Sequence, residues 1–316
     1  MTTEPSRSDD PRAAHRTEIR EFLTSRRARI TPDQAGLPAY GGNRRVKGLR
    51  REEVAMLSGV SVDYYVRMER GDLSGASDGV LDGLANALQL DEAERDHLFA
   101  LARAAGPART RTRPAARTVR PAVQQVLDAM TDAPAWVRNG RHDIIAMNPL
   151  AAALYSPVLE SPAAGPSGRR PANTTRFVYL DPAARDFFVD FDTIARDAAS
   201  MLRLEAGRNP HDRHLIALVG ELSTRSELFR QRWASQDVTF HRSGTKRLRH
   251  PVVGQLDLDF EAMDLPSEPE LRLNVYTAAA GSPTADALRM LASWAATQDL
   301  AVVDRAVATA GTDTDD

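Results

Sequence analysis

REEVAMLSGVSVDYYVRMERG, residues 51–71, decides how the front of the chain folds, because two short helical patterns crowd against a single glycine, Gly59. Val54, Ala55 and Leu57 supply one apolar face. Gly59 permits a sharp turn, Val60 plugs the angle between the helices, and Tyr65 with Met68 faces back inward. Ala55 is small where the second helix must approach closely, and Ser61 is a natural N-cap for that helix. Gly71 stands where a left-handed residue would close it. Two helices crossing steeply through so short a turn have the spacing of a helix-turn-helix.

The surrounding sequence extends this into a helical array. Helices are expected over 14–30, where Ile19, Phe22, Leu23 and Ile30 recur at helical spacing, and then over 50–58, 62–70, 78–88 and 91–104. Asp91 followed by Glu94 makes a capping-box start for the last of them. An irregular, basic stretch, DQAGLPAYGGNRRVKG, separates the first helix from the second. In such an array the N-terminal part of the second motif helix presents side chains to base edges in the major groove, while the first helix braces the backbone. The outward set is Ser61, Val62, Asp63, Tyr64 and Arg67. Arg67 suits a guanine edge, Asp63 a cytosine amino group and Val62 a thymine methyl. Arg50, Arg51 and Arg70, with Arg44, Arg45 and Lys47 of the basic stretch, suit phosphates, which fix register without reading sequence. Solvated charges on a plain helical bundle are the competing reading of the same residues.

Composition sets outer bounds. The 316 residues are 42% hydrophobic and 27% charged, ordinary globular values with room for two cores. No apolar run is long enough to span a membrane and the N-terminus has no apolar signal core, so the cytoplasm, with the nucleoid, is the expected location. With Cys 0 there is no disulfide, thiolate metal site or cysteine nucleophile. Residues 1–120 carry 21 Lys+Arg against 17 Asp+Glu and the remainder 20 against 26, so the net −2 hides a modestly basic front half.

Boundaries follow from punctuation. GPARTRTRPAARTVRP loses all apolar period, so the expected organisation is a helix-turn-helix domain at 14–105, an Arg/Pro-rich linker at 106–120, a second domain at 121–305 and a disordered tail at 306–316. A flexible loop is expected at 156–173. The second domain reads as mixed α and β. Helices are expected at 121–130, from Pro149, from Asn209 as N-cap with Pro210 behind it, and at 226–233. Strands are expected at 143–148, in DVTFH, in HPVVGQLDLDF and in LRLNVYT; Leu256, Leu258 and Phe260 alternate with Asp257 and Asp259 as in a half-buried antiparallel strand. A sheet packed on one side by helices would offer a concave face for a ligand. Trp136, Trp233 and Tyr276 are candidate wall residues, with plain core as the alternative, and Asn148 either orients a ligand or caps the helix that follows it.

Catalytic signatures are missing: there is no phosphate loop ending in Gly-Lys-Ser/Thr, no HExxH and no GxSxG. His211 and His214 open a helix rather than forming a metal pair, and His241 and His250 have no acidic partner set, so no metal, cofactor or enzymatic activity is expected.

LTSRRARITP, RRVKGLRREEVAMLSGVSVDYYVRMERG and VLDGLANALQLDEAERDHLFALA together resemble the XRE-type helix-turn-helix regulators of actinobacteria. LVGELSTRSELFRQRWASQDV, HPVVGQLDLDFEAMDLP and LRLNVYTAAAGSPTADALRML resemble the MmyB-like ligand-binding domain that accompanies that module. The resemblance implies an all-helical, lambda-repressor-like DNA-binding domain followed by a PAS-like α+β domain with an antiparallel sheet, holding a small apolar or fatty-acid-like molecule. It also implies that Glu69 pairs with Arg26 or Arg27 to brace the motif. Gln236 stands where that family would show a histidine and Phe191 where tryptophan is common.

Three readings remain open from the residues. The first is a homodimeric, ligand-responsive regulator of double-stranded operator DNA, since one motif reads only a half-site. The second is a DNA-binding adaptor whose rear domain takes a protein partner. The third is an enzyme tethered to DNA, which the missing motifs oppose.

Overall fold

The computed structural model describes residues 11–37, 46, 48–105, 118–165 and 171–310. Arg44, Arg45, Lys47, most of the expected linker (106–117) and the last six residues of the expected tail lie outside them. The chain divides into two compact units, Met1–Arg113 with Ala199–Phe240, and Pro114–Ala198 with His241–Asp316. The stretch expected as one rear domain, 121–305, is therefore shared: 199–240 cluster with the front helices.

The first unit begins with α1 (Pro11–Arg29), α2 (Arg51–Ser58), α3 (Val62–Glu69), α4 (Asp78–Ala87) and α5 (Glu92–Ala105), each within a few residues of the sequence expectation. Ile19, Phe22 and Leu23 of α1 meet Val54, Ala55, Tyr65, Met68, Leu84 and Leu98 in one core. Fully burying each larger side chain there is worth about 1.5–3 kcal/mol. The Asp91–Glu94 capping box is formed in both directions, at 2.9 and 3.1 Å.

The second unit adds α6 (Pro121–Ala129), β1 (Ala135–Asn139), β2 (Ile144–Met147), α7 (Pro149–Leu154), α8 (Ser156–Leu159), α9 (Thr174–Leu180) and α10 (Ala183–Phe187). A long helix, α11 (Phe191–Arg208), follows; its residues up to Ala198 count with the second unit and the rest with the first. α12 (Arg213–Arg225) and α13 (Glu227–Ala234) belong to the first unit. β3 (Ser243–His250), β4 (Gly254–Asp264), β5 (Leu271–Thr277) and α14 (Pro283–Ala310) return to the second. The strands form one antiparallel sheet in the order β2-β1-β5-β4-β3, the α+β layout expected.

Strand alternation gives that sheet two faces. Ala135, Val137, Leu271 and Leu273 pack against Val123 and Leu127 of α6. Trp136 and Arg138 of β1, Asn274 and Tyr276 of β5, Phe260 of β4 and Lys246 of β3 lie at alternate positions and so share the opposite, inner face. The expected alternation of Leu256, Leu258 and Phe260 is present, all three being buried.

Five expectations are corrected. DVTFH is not a strand; Val238 joins the front core instead, and the strand begins at Ser243. HPVVGQLDLDF is a β3–β4 turn running into β4, not one strand. α12 is capped by Asp212, whose carboxylate accepts from the backbone N–H groups of His214 and Leu215, not by Asn209 with Pro210. The expected loop at 156–173 contains α8, and Asn173 pairs with Asp143 and caps α9; likewise residues 306–310, expected as tail, continue α14.

Candidate nucleic-acid interface and a buried aromatic site

The turn of the motif is built as its residues dictate. Gly59 takes the left-handed conformation at φ 70°, and the Val60 N–H closes on the Ala55 carbonyl at 3.0 Å. Ser61 caps α3 by accepting from the Tyr64 N–H at 3.2 Å. Tyr65 and Met68 are fully buried, which turns Val62 (44% exposed), Asp63 and Arg67 outward. The Arg67 guanidinium lies 4.8 Å over the Tyr64 ring and its Nε 3.8 Å from Asp72, so it is propped along the outer edge of the helix. Ser74 donates to the Asp72 carboxylate through both its hydroxyl and its N–H, holding that carboxyl below its ordinary range. Arg16, Asp63, Val66, Arg67, Arg70 and Asp72 line an open cleft of about 400 Å³ beside α3. Arg16 was not legible as part of this face, because α1 is distant in sequence.

Behind the interface sits a buried ion cluster. Glu69 accepts from Arg27 Nε at 2.5 Å, from Arg51 Nε and from the Tyr65 hydroxyl at 3.3 Å. Burial, then the Glu69 charge, push the Tyr65 phenol well up from its usual range. The brace on Glu69 is thus Arg27. Arg26 faces elsewhere: one residue along a helix turns the side chain by about 100°, and its Nε lies 3.1 Å from Glu94. Arg51, expected at a phosphate, is held by Glu69 while remaining half-exposed. Arg50 and Arg70 are exposed.

The inner face of the rear sheet gathers aromatic and polar groups. Trp136 and Tyr155 have ring centroids 5.3 Å apart, and the Tyr155 and Tyr276 hydroxyls meet at 2.6 Å. Lys246 Nζ donates to the Tyr276 hydroxyl at 3.3 Å and lies 5.3 Å from the Phe260 ring. Phe260 in turn stacks on His241 at 4.3 Å. Burial, then Tyr276, raise the Tyr155 phenol well above its ordinary value. His142 is buried with Nδ1 2.6 Å from the Thr175 hydroxyl, and burial, then Arg138, hold it well below its ordinary value. The indole N–H of Trp136 and Nε2 of His142 are buried without a hydrogen-bond partner.

Of the four candidate ligand-site residues, Trp136 and Tyr276 meet in this cluster through Tyr155. Asn148 does not join them: its Oδ1 accepts from Ala151 and Ala135 and its Nδ2 donates to Met130 and Ala133, so the α7 cap and the connection from α6 to β1 together use its whole amide. Trp233 lies in the first unit, under the Arg203 guanidinium at 4.0 Å. Tyr155, Lys246 and His142 escaped the sequence reading, since a lone lysine in a polar strand or a histidine in a turn carries no period, and Phe260 was read only as part of an alternating strand. His250 donates from Nε2 to the Ala153 carbonyl, 3.1 Å away, and accepts the Val252 N–H at Nδ1, a structural contact. Among the described residues no group of three or more His, Asp or Glu side chains is placed to hold a metal, and no helix is long and apolar enough to cross a membrane.

Comparison with known families matches residues 18–98 to a helix-turn-helix domain and residues 119–291 to the MmyB-like transcription regulator ligand binding domain. No curated protein matches the chain. Both matched domains are components of transcription regulators rather than of enzymes. An exposed, capped second helix on a braced motif, ahead of a sheet whose inner face holds the unpartnered Trp136 N–H, agrees with those matches, and the chain belongs to the MmyB-like transcription regulators: a DNA-binding regulator with a ligand-binding domain.

Proposed function

We propose that the protein is a homodimeric, ligand-responsive regulator that reads operator DNA through α3 and holds a small apolar or fatty-acid-like molecule on the inner face of its rear sheet. The observation that carries the DNA half is the exposure of Val62, Asp63 and Arg67 on a helix whose other side, Tyr65 and Met68, is fully buried. Arg67 takes a guanine edge, Asp63 a cytosine amino group and Val62 a thymine methyl; Ser61 and Tyr64 open the same helix. Arg50, Arg70 and Arg16 take phosphates, joined by Arg51 and by Arg44, Arg45 and Lys47 of the basic stretch. Two copies place their motifs about 34–36 Å apart on successive major grooves. The cytoplasm, at the nucleoid, is where such a protein meets its operator.

The ligand half rests on chemistry. Trp136, Tyr155, Tyr276 and Phe260 give apolar walls, while Lys246, paired to the Tyr276 hydroxyl, and the unpartnered Trp136 N–H give a polar end suited to a carboxylate. Native mass spectrometry of the purified full-length protein, before and after denaturing extraction, tests it. One small molecule per chain supports the sensor. A clean apo dimer that captures no added long-chain carboxylate refutes the ligand and favours the adaptor reading, in which the rear domain takes a protein.

A further inference from the structure

Within the first unit, residues 199–240 are held to the helix-turn-helix core at several points, among them Val238 in the apolar core and Arg208, 3.6 Å from Asp96 of α5. Arg203, 2% exposed, stacks over Trp233, donates to the Trp233 carbonyl and places Nη1 3.6 Å from Glu18 of α1. Gln236, in the left-handed conformation at φ 58°, offers its carbonyl to Arg26 and donates its side chain to Glu21 at 2.8 Å. Gly207 presses its backbone on the buried His97 ring of α5; a Cβ there would lie 2.5 Å from two ring atoms. The steric fit is close, but the polar fit is not. Both nitrogens of His97 and Gln236 Oε1 are buried with no hydrogen-bond partner, while Glu18 Oε1 and Arg26 Nε are held through ion pairs alone, to Arg203 and to Glu94. Polar atoms left without a hydrogen bond weaken a buried contact, so this docking is weaker than its steric fit alone would make it.

The same helix, α11, supplies the other end. Its residues in the second unit place Asp197 3.5 Å from His241, the ring that stacks on Phe260, and receive the Tyr179 hydroxyl at the Ala195 carbonyl. We infer that 199–240, although part of the ligand-binding family match, is the coupling segment of the protein: its docking on α1 and α5 sets the position of α3 for DNA, with Arg203, Gly207 and Gln236 as positioning residues. This rests on the proposed regulator function. The contact leaves α3 exposed, so it acts by positioning and not by covering the interface.

Linkage makes the inference testable without knowing the ligand, since DNA that senses the docking must in turn change it. Hydrogen exchange of the full chain is measured with and without a duplex selected from a random pool, for the wild type, Gly207→Ala and Gly207→Ala/His97→Ala. Alanine favours the helix itself, and the atoms nearest to its methyl are those of the His97 ring. Operator binding is expected to change exchange across 199–208 by about fivefold or more in the wild type. Gly207→Ala abolishes that change while still binding the duplex, and the double variant, with space for the methyl, restores it. Gln236→Gly, which suits the left-handed backbone but drops the tie to Glu21, weakens it independently. Identical exchange with and without bound operator, or a change that persists in Gly207→Ala, overturns the coupling. A wild type that binds no selected duplex overturns the DNA reading instead.

Discussion

Glu69 carries more of the motif than any residue that touches solvent. Its carboxylate collects Arg27, Arg51 and the Tyr65 hydroxyl while being almost wholly buried, so removing it leaves Arg27 largely buried without its partner. Glu69→Ala should destabilise the first unit by about 3 kcal/mol, the scale for breaking a buried pair from one side; denaturant unfolding followed at Trp233 measures this, and a loss below 1 kcal/mol, on the order of an exposed pair, counts against the brace. His97 shapes the pH response of the same unit. Burial, then the Arg203 charge, lower its pKa from 6.5 to about 3. The unfolded chain therefore binds more protons through that window, and stability falls as pH drops below 6.5, by about 1.4 kcal/mol per unit from this group. Imidazole resonances should show His97 neutral at pH 5; a titration near its ordinary value would mean the ring is accessible.

Among the elements, the turn and the end of the recognition helix make different demands on glycine. Gly59 is left-handed with open space around its Cβ position, whereas Gly71, at φ 100°, would drive a methyl to 2.4 Å from the Arg16 carbonyl. Gly59→Ala should cost about 1–2 kcal/mol, and Gly71→Ala clearly more, read from thermal melts of the two variants; equal losses would show that Arg16 does not abut the helix end. The five front helices were legible because each has a cap or an apolar stripe that a single face explains, as with Ser61 and with Asp91–Glu94. β1 gave no alternation because all five of its residues are buried. β3 is an edge strand of Lys and Arg with Leu248 as its one large apolar side chain, charged in the manner that protects free edges. α11 hid because alanines and the buried Arg203 stand where leucines would have marked a stripe. The α3 side of the candidate interface lies in one contiguous stretch and was readable there, whereas Arg16 of α1 was not; nor was the rear cluster, since Trp136, Tyr155, Lys246 and Tyr276 meet only when four separate elements fold.

At the scale of the whole molecule, the formal net charge of −2 means that DNA affinity must come from how cations are arranged rather than from their excess. Arg16, Arg67 and Arg70 line one cleft beside α3, while Glu69 neutralises cations behind it. That arrangement makes a specific claim about base reading. Selection of duplexes from a random pool by the full-length protein, followed by affinities of the wild type and Arg67→Ala for the winning and a scrambled sequence, tests it most directly. Expected are a single enriched two-fold site and an Arg67→Ala penalty of about 1–3 kcal/mol on that site, with scrambled DNA unaffected. No enrichment, or an equal loss on both duplexes, would contradict α3 as the helix that reads the sequence.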